Sequence, residues 1–132
     1  MAHDGEKVVR FEYAKYGIPR SRRPLKWMGS SHEALISFSE DAQDRLGDAL
    51  RVAQEGGRHA DARPMRGNLR EVTEIVAPCA DGTYRLMYVT QISEVIHVLH
   101  AFKKKAHHGV ETPRKEIRLI RTRLKQAKEA AG

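Results

Sequence analysis

The chain has 132 residues, which is one domain's worth: enough for a sizeable core, but not for two. Lys and Arg number 24 against 17 Asp and Glu, for a formal charge of +7, and this balance favours an anionic partner such as RNA, DNA or an acidic protein segment. No run reaches the apolar length of a transmembrane helix, no amphipathic basic helix carries the bulky aromatics of a membrane-surface anchor, and the single cysteine, Cys79, excludes an intrachain disulfide.

Residues 1–7 carry no apolar signal region, and with one cysteine this points to a reducing cytoplasm. Residues 1–23 are mixed in composition, run into Pro19-Arg20-Ser21-Arg22-Arg23-Pro24, and read as a flexible arm ahead of a domain over 24–132. Leu25-Lys26-Trp27-Met28 reads as a short first strand. Ser30 with Glu33 three residues on predicts a capping box and a short helix to about Phe38. Ser39, followed by Glu40 and Asp41, caps a second helix. Its buried stripe is Ala42, Leu46, Ala49, Leu50 and Ala53, and Gly56-Gly57 ends it.

Three strands are predicted next, at Val72–Ala77, Thr83–Thr90 and Glu94–Phe102, rich in β-branched and aromatic residues. Cys79 sits in the turn Ala77-Pro78-Cys79-Ala80-Asp81-Gly82 and reads as incidental rather than as a nucleophile. Asp81-Gly82 marks the first hairpin, and the second turns near Ile92-Ser93. Thr112 and Pro113 open a final helix. Its apolar stripe is Ile117, Ile120, Leu124 and Ala127, and Arg114, Lys115, Arg118, Arg121, Arg123, Lys125 and Lys128 cover much of the remainder. The order gives an α+β domain: a small antiparallel sheet with N-terminal helices packed on it and a C-terminal basic helix.

The last strand carries the chemistry. It runs Val95-Ile96-His97-Val98-Leu99-His100-Ala101-Phe102 into Lys103-Lys104-Lys105, with His107 and His108 beyond. A hairpin symmetric about Ile92-Ser93 sets Arg85 opposite His100 and Phe102 opposite Thr83 on one face. A four-residue first loop, Cys79 to Gly82, sets Val76 beside Arg85 and Glu74 beside Met87. One end of one face then collects Arg85, His100 and Phe102, with the lysines following. The plainer readings are a diagonal Arg85–Glu74 pair, histidines that merely fill the core, and lysines that form a solvated strand end. A metal site is not expected, because His97 and His100 alternate to opposite faces and no Cys or acid completes a ligand spacing. No cofactor motif is present: there is no phosphate-cradling glycine loop, nucleophile elbow or clear pair of catalytic carboxylates.

Four pieces of the chain together resemble the phage-derived, HigB-type branch of the RelE toxin superfamily, from type II toxin–antitoxin systems. They are Leu25-Lys26-Trp27-Met28-Gly29-Ser30-Ser31; Ala60-Asp61-Ala62-Arg63-Pro64-Met65-Arg66-Gly67; Glu74-Ile75-Val76 leading to Thr83-Tyr84-Arg85; and Val98 to Lys105 with Thr112-Pro113. The resemblance covers roughly residues 24–127 and leaves the arm outside. It implies a RelE-like fold and a ribosome-dependent mRNA endoribonuclease that inhibits translation. A helix-turn-helix protein antitoxin would neutralise it, and the ribosome and mRNA would be its other partners, with no membrane involved. The implied reaction is in-line attack of a 2′-hydroxyl on the adjacent phosphate, without a metal.

On that resemblance Arg85 stabilises the growing phosphorane charge, Arg66 grips the same phosphate, and His100 is an acid or a base. Lys104 clamps RNA backbone or assists proton transfer. Phe102, Lys103, Lys105 and His107 line the RNA, with Phe102 either stacked on a base or packed in the core. Some superfamily members use a tyrosine near the C-terminus, and this chain has none after Tyr88. Two other readings of the residues stand beside the toxin: a non-catalytic phage-derived nucleic-acid or ribosome-binding protein, and an assembly protein whose basic helix docks an acidic partner.

Overall fold

The structure, a computed structural model, describes residues 22–104 and 112–131. Five strands form one sheet: β1 (Leu25–Trp27), β2 (Ala62–Pro64), β3 (Thr73–Cys79), β4 (Gly82–Ile92) and β5 (Val95–Lys104). Their spatial order is β1-β5-β4-β3-β2, with β1 parallel to β5 and the other neighbours antiparallel. The helices are α1 (Ser31–Ile36), α2 (Glu40–Gln54) and α3 (Arg114–Ala131), and a 3₁₀ turn spans Gly67–Leu69.

Strand alternation divides the core into two layers. On one face Tyr84, Leu86 and Tyr88 of β4, with Ile75, Ala77, Ile96 and Val98, pack against Leu35 of α1 and Ala42, Leu46, Ala49, Leu50 and Ala53 of α2. On the other face Met87 and Val89 of β4, with Leu99 and Phe102, pack against Ile120, Leu124 and Ala127 of α3. The sheet is therefore covered on both faces, by the N-terminal helices on one and the C-terminal helix on the other. Each fully buried aliphatic side chain in these layers stabilises the fold by about 1.5–3 kcal/mol.

The α2 boundaries follow the sequence signals. The Ser39 hydroxyl accepts from the Ala42 N–H, and Gly56 takes a φ of +92° just past the helix end. The capping box at Ser30 does not form: Ser30 makes no side-chain cap, and its hydroxyl accepts from Arg123 instead. α3 begins at Arg114, with the Pro113 carbonyl accepting from the Glu116 and Ile117 N–H groups. Edge strand β2 was not anticipated. It is three residues long and ends on Pro64, which has no donor to lose at an edge.

The β3–β4 hairpin has the expected register, with Val76 opposite Arg85 and Glu74 opposite Met87. The β4–β5 register differs. The turn is Ser93-Glu94, both at positive φ (56° and 59°) as a two-residue type I′ turn requires. Arg85 consequently faces Phe102, and His100 faces Met87. The displacement is two residues, an even number, so Arg85, His100 and Phe102 still share a face. A bulge at Leu99 adds a second correction. Tyr88 pairs with Val98 and Met87 with His100, which leaves Leu99 as the extra residue. His97, opposite Val89, and His100, opposite Met87, thereby fall on the same face rather than on opposite ones.

Arg22 and Arg23, at the end of the expected arm, are tied to the domain. Arg22 pairs with Glu55 at 2.7 Å, the Arg23 N–H donates to the Gln54 carbonyl at 2.8 Å, and the Arg23 guanidinium donates to the carbonyls of Thr90 and Glu94. Among the described residues no helix is long and apolar enough to cross a membrane.

Candidate functional site

Under the first turns of α3, three rows of the sheet present polar side chains on one face. The first row is Arg63–Glu74–Met87–His100, the second Val76–Arg85–Phe102, and the third Thr83–Lys104. β2 contributes the edge residue, β3 the carboxylate, β4 the guanidinium, and β5 the imidazole and the lysine. α3 closes the face from above.

Arg85 and Glu74 form a buried pair. Arg85 Nη1 donates to Glu74 Oε2 at 2.6 Å, with side-chain exposures of 4% and 7%. Arg63 Nε lies 3.7 Å from the other Glu74 oxygen, and the Thr112 hydroxyl donates to Oε2 at 3.4 Å. Glu74 thus binds two cations. Arg85 Nε is buried with no hydrogen-bond partner among the described residues. Taking such a pair out of water is costly, and the Arg85 guanidinium is balanced there by an adjacent anion. In this arrangement that anion is Glu74; a phosphate has the same charge sign and the same geometry toward a guanidinium.

His100 is held on both ring nitrogens. Nε2 lies 2.6 Å from Oε1 of Glu116, in the first turn of α3, and Nδ1 lies 3.4 Å from Nη1 of Arg123. The ring stacks on Phe102 with centroids 5.4 Å apart. Burial pushes the His100 imidazole below its ordinary value; the Glu116 carboxylate opposes this and Arg123 reinforces it. A neutral imidazole hydrogen-bonded to a carboxylate is equipped to pass a proton, and the cations of the neighbouring rows are equipped to hold a phosphate.

The other residues anticipated for the site separate. Arg66 is exposed just beyond β2, where Met65 bonds Val72, well along the sheet from the Arg85 row; the arginine beside Glu74 is Arg63. Lys104 follows Phe102 by alternation onto the same face and sits opposite Thr83. Lys103 goes to the other face, 3.2 Å from Asp81 and over the Tyr84 ring. Phe102 is a packed core aromatic as well as the platform for His100. Lys105 and His107 lie outside the described residues. His97 is buried and its Nδ1 bonds the Val95 carbonyl, away from this cluster. Burial also raises the Cys79 thiol, the direction of an unreactive cysteine. Among the described residues no group of three or more His, Cys, Asp or Glu is placed to hold a metal ion.

Glu116 and Arg123 escaped the sequence reading. Both fall on the buried stripe of α3: Glu116, Ile120, Arg123 and Ala127 are spaced 4, 3 and 4, which is one helix face. Counted only as charges on a basic helix, they look solvated.

The family described as "Phage derived protein Gp49-like" matches residues 33–125. No curated protein sequence matches the chain. Among solved structures, the chain is similar to one from the crystal structure of the toxin-antitoxin complex RelBE2 of Mycobacterium tuberculosis. The identity is 15% and the TM-score 0.37, over 64% of this chain and 94% of that one. With the family match running through α1, α2, the whole of β2 to β5 and most of α3, the chain belongs to the phage-derived Gp49-like family, one of the families of the RelE toxin superfamily.

Proposed function

We propose that this protein is the toxin of a type II toxin–antitoxin system and acts as a ribosome-dependent, metal-independent mRNA endoribonuclease that inhibits translation in the cytoplasm. Membership of a toxin family supports the first part. The observation that supports the second is the His100–Glu116 pair beside the Arg85, Arg63 and Lys104 cations on one sheet face. The substrate's 2′-oxygen attacks the adjacent phosphorus as its proton passes to the carboxylate–imidazole pair. The bond to the 5′-oxygen breaks, that oxygen takes up a proton from the Lys104 ammonium or from water, and the cations hold the charge on the phosphoryl oxygens. In this reading residues 24–132 are the toxin domain, residues 1–23 an appended arm, and a helix-turn-helix protein the antitoxin.

One observation favours the non-catalytic alternative, a phage-derived protein that binds nucleic acid or the ribosome: Glu74 already occupies Arg85, and both nitrogens of His100 are engaged. Expression of the chain alone, and together with a helix-turn-helix protein from a neighbouring reading frame, separates the two. Growth arrest that the neighbour relieves, and that His100→Ala or Glu116→Gln abolishes at equal protein level, is the expected outcome. Undisturbed growth with folded protein present counts for the binding protein.

A further inference from the structure

Arg123 is a buried cation with no carboxylate paired to it among the described residues. Its guanidinium instead joins three elements. Nη1 donates to the Leu99 carbonyl at 2.9 Å and to Nδ1 of His100 at 3.4 Å, and Nη2 donates to the Ser30 hydroxyl at 3.2 Å. The fold is shaped to admit it. Gly29 has a φ of +53°, and a Cβ there would meet the guanidinium at 2.7 Å. The Leu99 bulge turns the Leu99 carbonyl and the His100 ring toward the same guanidinium nitrogen.

A guanidinium has only donors. Wherever it bonds Nδ1, that nitrogen is an acceptor and carries no proton. The ring's one proton is then on Nε2, donated to Glu116. Protonating Nδ1 would set N–H against N–H beside a positive charge. The other charged groups on this side are Glu116, from α3, and the Glu74–Arg85 pair, Arg63 and Lys104, from the sheet.

We propose that Arg123 is a positioning residue that caps Nδ1 of His100, keeping the imidazole neutral with its proton on Nε2 and aimed at Glu116. The consequence for turnover rests on the ribonuclease reading above. His100 then has no free nitrogen, and the carboxylate of Glu116, steadied by the Nε2–H, accepts the proton leaving the substrate hydroxyl.

The test is long-range ¹H–¹⁵N spectroscopy of the histidines in the full chain across pH, for wild type, Arg123→Lys and Arg123→Met, with melting curves as a folding control. In wild type His100 is expected as the Nε2–H form at neutral pH. In Arg123→Met its midpoint moves up toward the ordinary histidine value and Nδ1 gains proton occupancy; Arg123→Lys, which keeps the charge, falls between. A wild-type ring protonated on Nδ1, or a titration identical in wild type and both variants, overturns the proposal. If Arg123→Met does not fold, the wild-type spectrum and the Lys variant still decide. In a cleavage assay Arg123→Met is expected to lower kcat at neutral pH roughly tenfold with KM little changed and to shift the pH profile, with partial rescue by Lys. Absence of cleavage by wild type itself would count against the ribonuclease reading and leave the spectroscopic result to judge Arg123.

Discussion

Glu74 on β3 and Arg85 on β4 meet at 2.6 Å beneath the start of α3, both shielded from water, as a diagonal pair across the hairpin. This contact gives Arg85 a structural role beside the phosphate-holding role proposed for it, and a single substitution cannot separate the two. The guanidinium balances a buried carboxylate, and it is also the first choice for holding a substrate phosphate. Arg85→Met leaves the carboxylate only the more distant Arg63 and the Thr112 hydroxyl, and Glu74→Gln strands the guanidinium; the expected loss in denaturant unfolding is about 3 kcal/mol for Glu74→Gln and less for Arg85→Met. The double variant Glu74→Gln/Arg85→Met is expected to recover most of that loss yet remain unable to cleave RNA. A double variant as unstable as the singles would show that the pair is not the source of the loss. A cleaving double variant would remove Arg85 from the chemistry.

The pH dependence of stability has a definite sign. Burial holds His97 and His100 below the ordinary histidine value of 6.5. For His97 the Val95 carbonyl opposes the shift while Lys26 and Arg23 add to it. The unfolded chain takes up these protons near pH 6.5 and the folded chain only at lower pH, so in between the unfolded state binds more protons. Stability is therefore full above about pH 6.5, falls as pH drops, and levels once the folded rings protonate. Urea midpoints followed from about pH 8 to about pH 5 check this, and a His97→Gln/His100→Gln variant is expected to show a shallower fall. An equal slope in that variant would assign the effect to carboxylates.

Two glycines at positive φ differ in their surroundings. Gly29 (φ +53°) faces the Arg123 guanidinium, whereas Gly67 (φ +65°) faces open space. Gly67→Ala carries only the backbone cost, about 1 kcal/mol, while Gly29→Ala also displaces Arg123 and is expected to cost at least about 2 kcal/mol. Equal losses in unfolding experiments would mean that Arg123 yields freely.

Adjacent lysines are expected to behave differently. Lys104 shares the face of Arg85 and His100, and Lys103 crosses to Asp81 on the opposite one. Lys103→Ala is expected to leave mRNA cleavage within about twofold, and Lys104→Ala to lower it at least about tenfold. The reverse order would relocate the site to the α1–α2 face of the sheet.

Much of this was legible in the residues. The stripes of α2 and α3, the cap at Ser39 and the β3–β4 register follow from spacing and turn chemistry alone. The β4–β5 register was missed because Ser93-Glu94 adopts a turn usually marked by Asn-Gly, and because nothing in Val98-Leu99-His100 signals a bulge. The face assignment of Arg85, His100 and Phe102 survived since the displacement was even. Arg66 was named on the resemblance alone, and Arg63 was not considered, while pairing places Arg63 beside Glu74. Ser30 looked like a cap but serves Arg123, a long-range contact across 93 residues that no local pattern encodes.

The most direct test of the ribonuclease reading is cleavage of a defined mRNA in a purified translation system, with and without ribosomes, using folded protein free of antitoxin. Cuts within the reading frame that require ribosomes, and that disappear in His100→Ala and in the Glu74→Gln/Arg85→Met double variant, are expected. Intact mRNA in both conditions would contradict the ribonuclease reading and leave a nucleic-acid or ribosome-binding protein on the same scaffold.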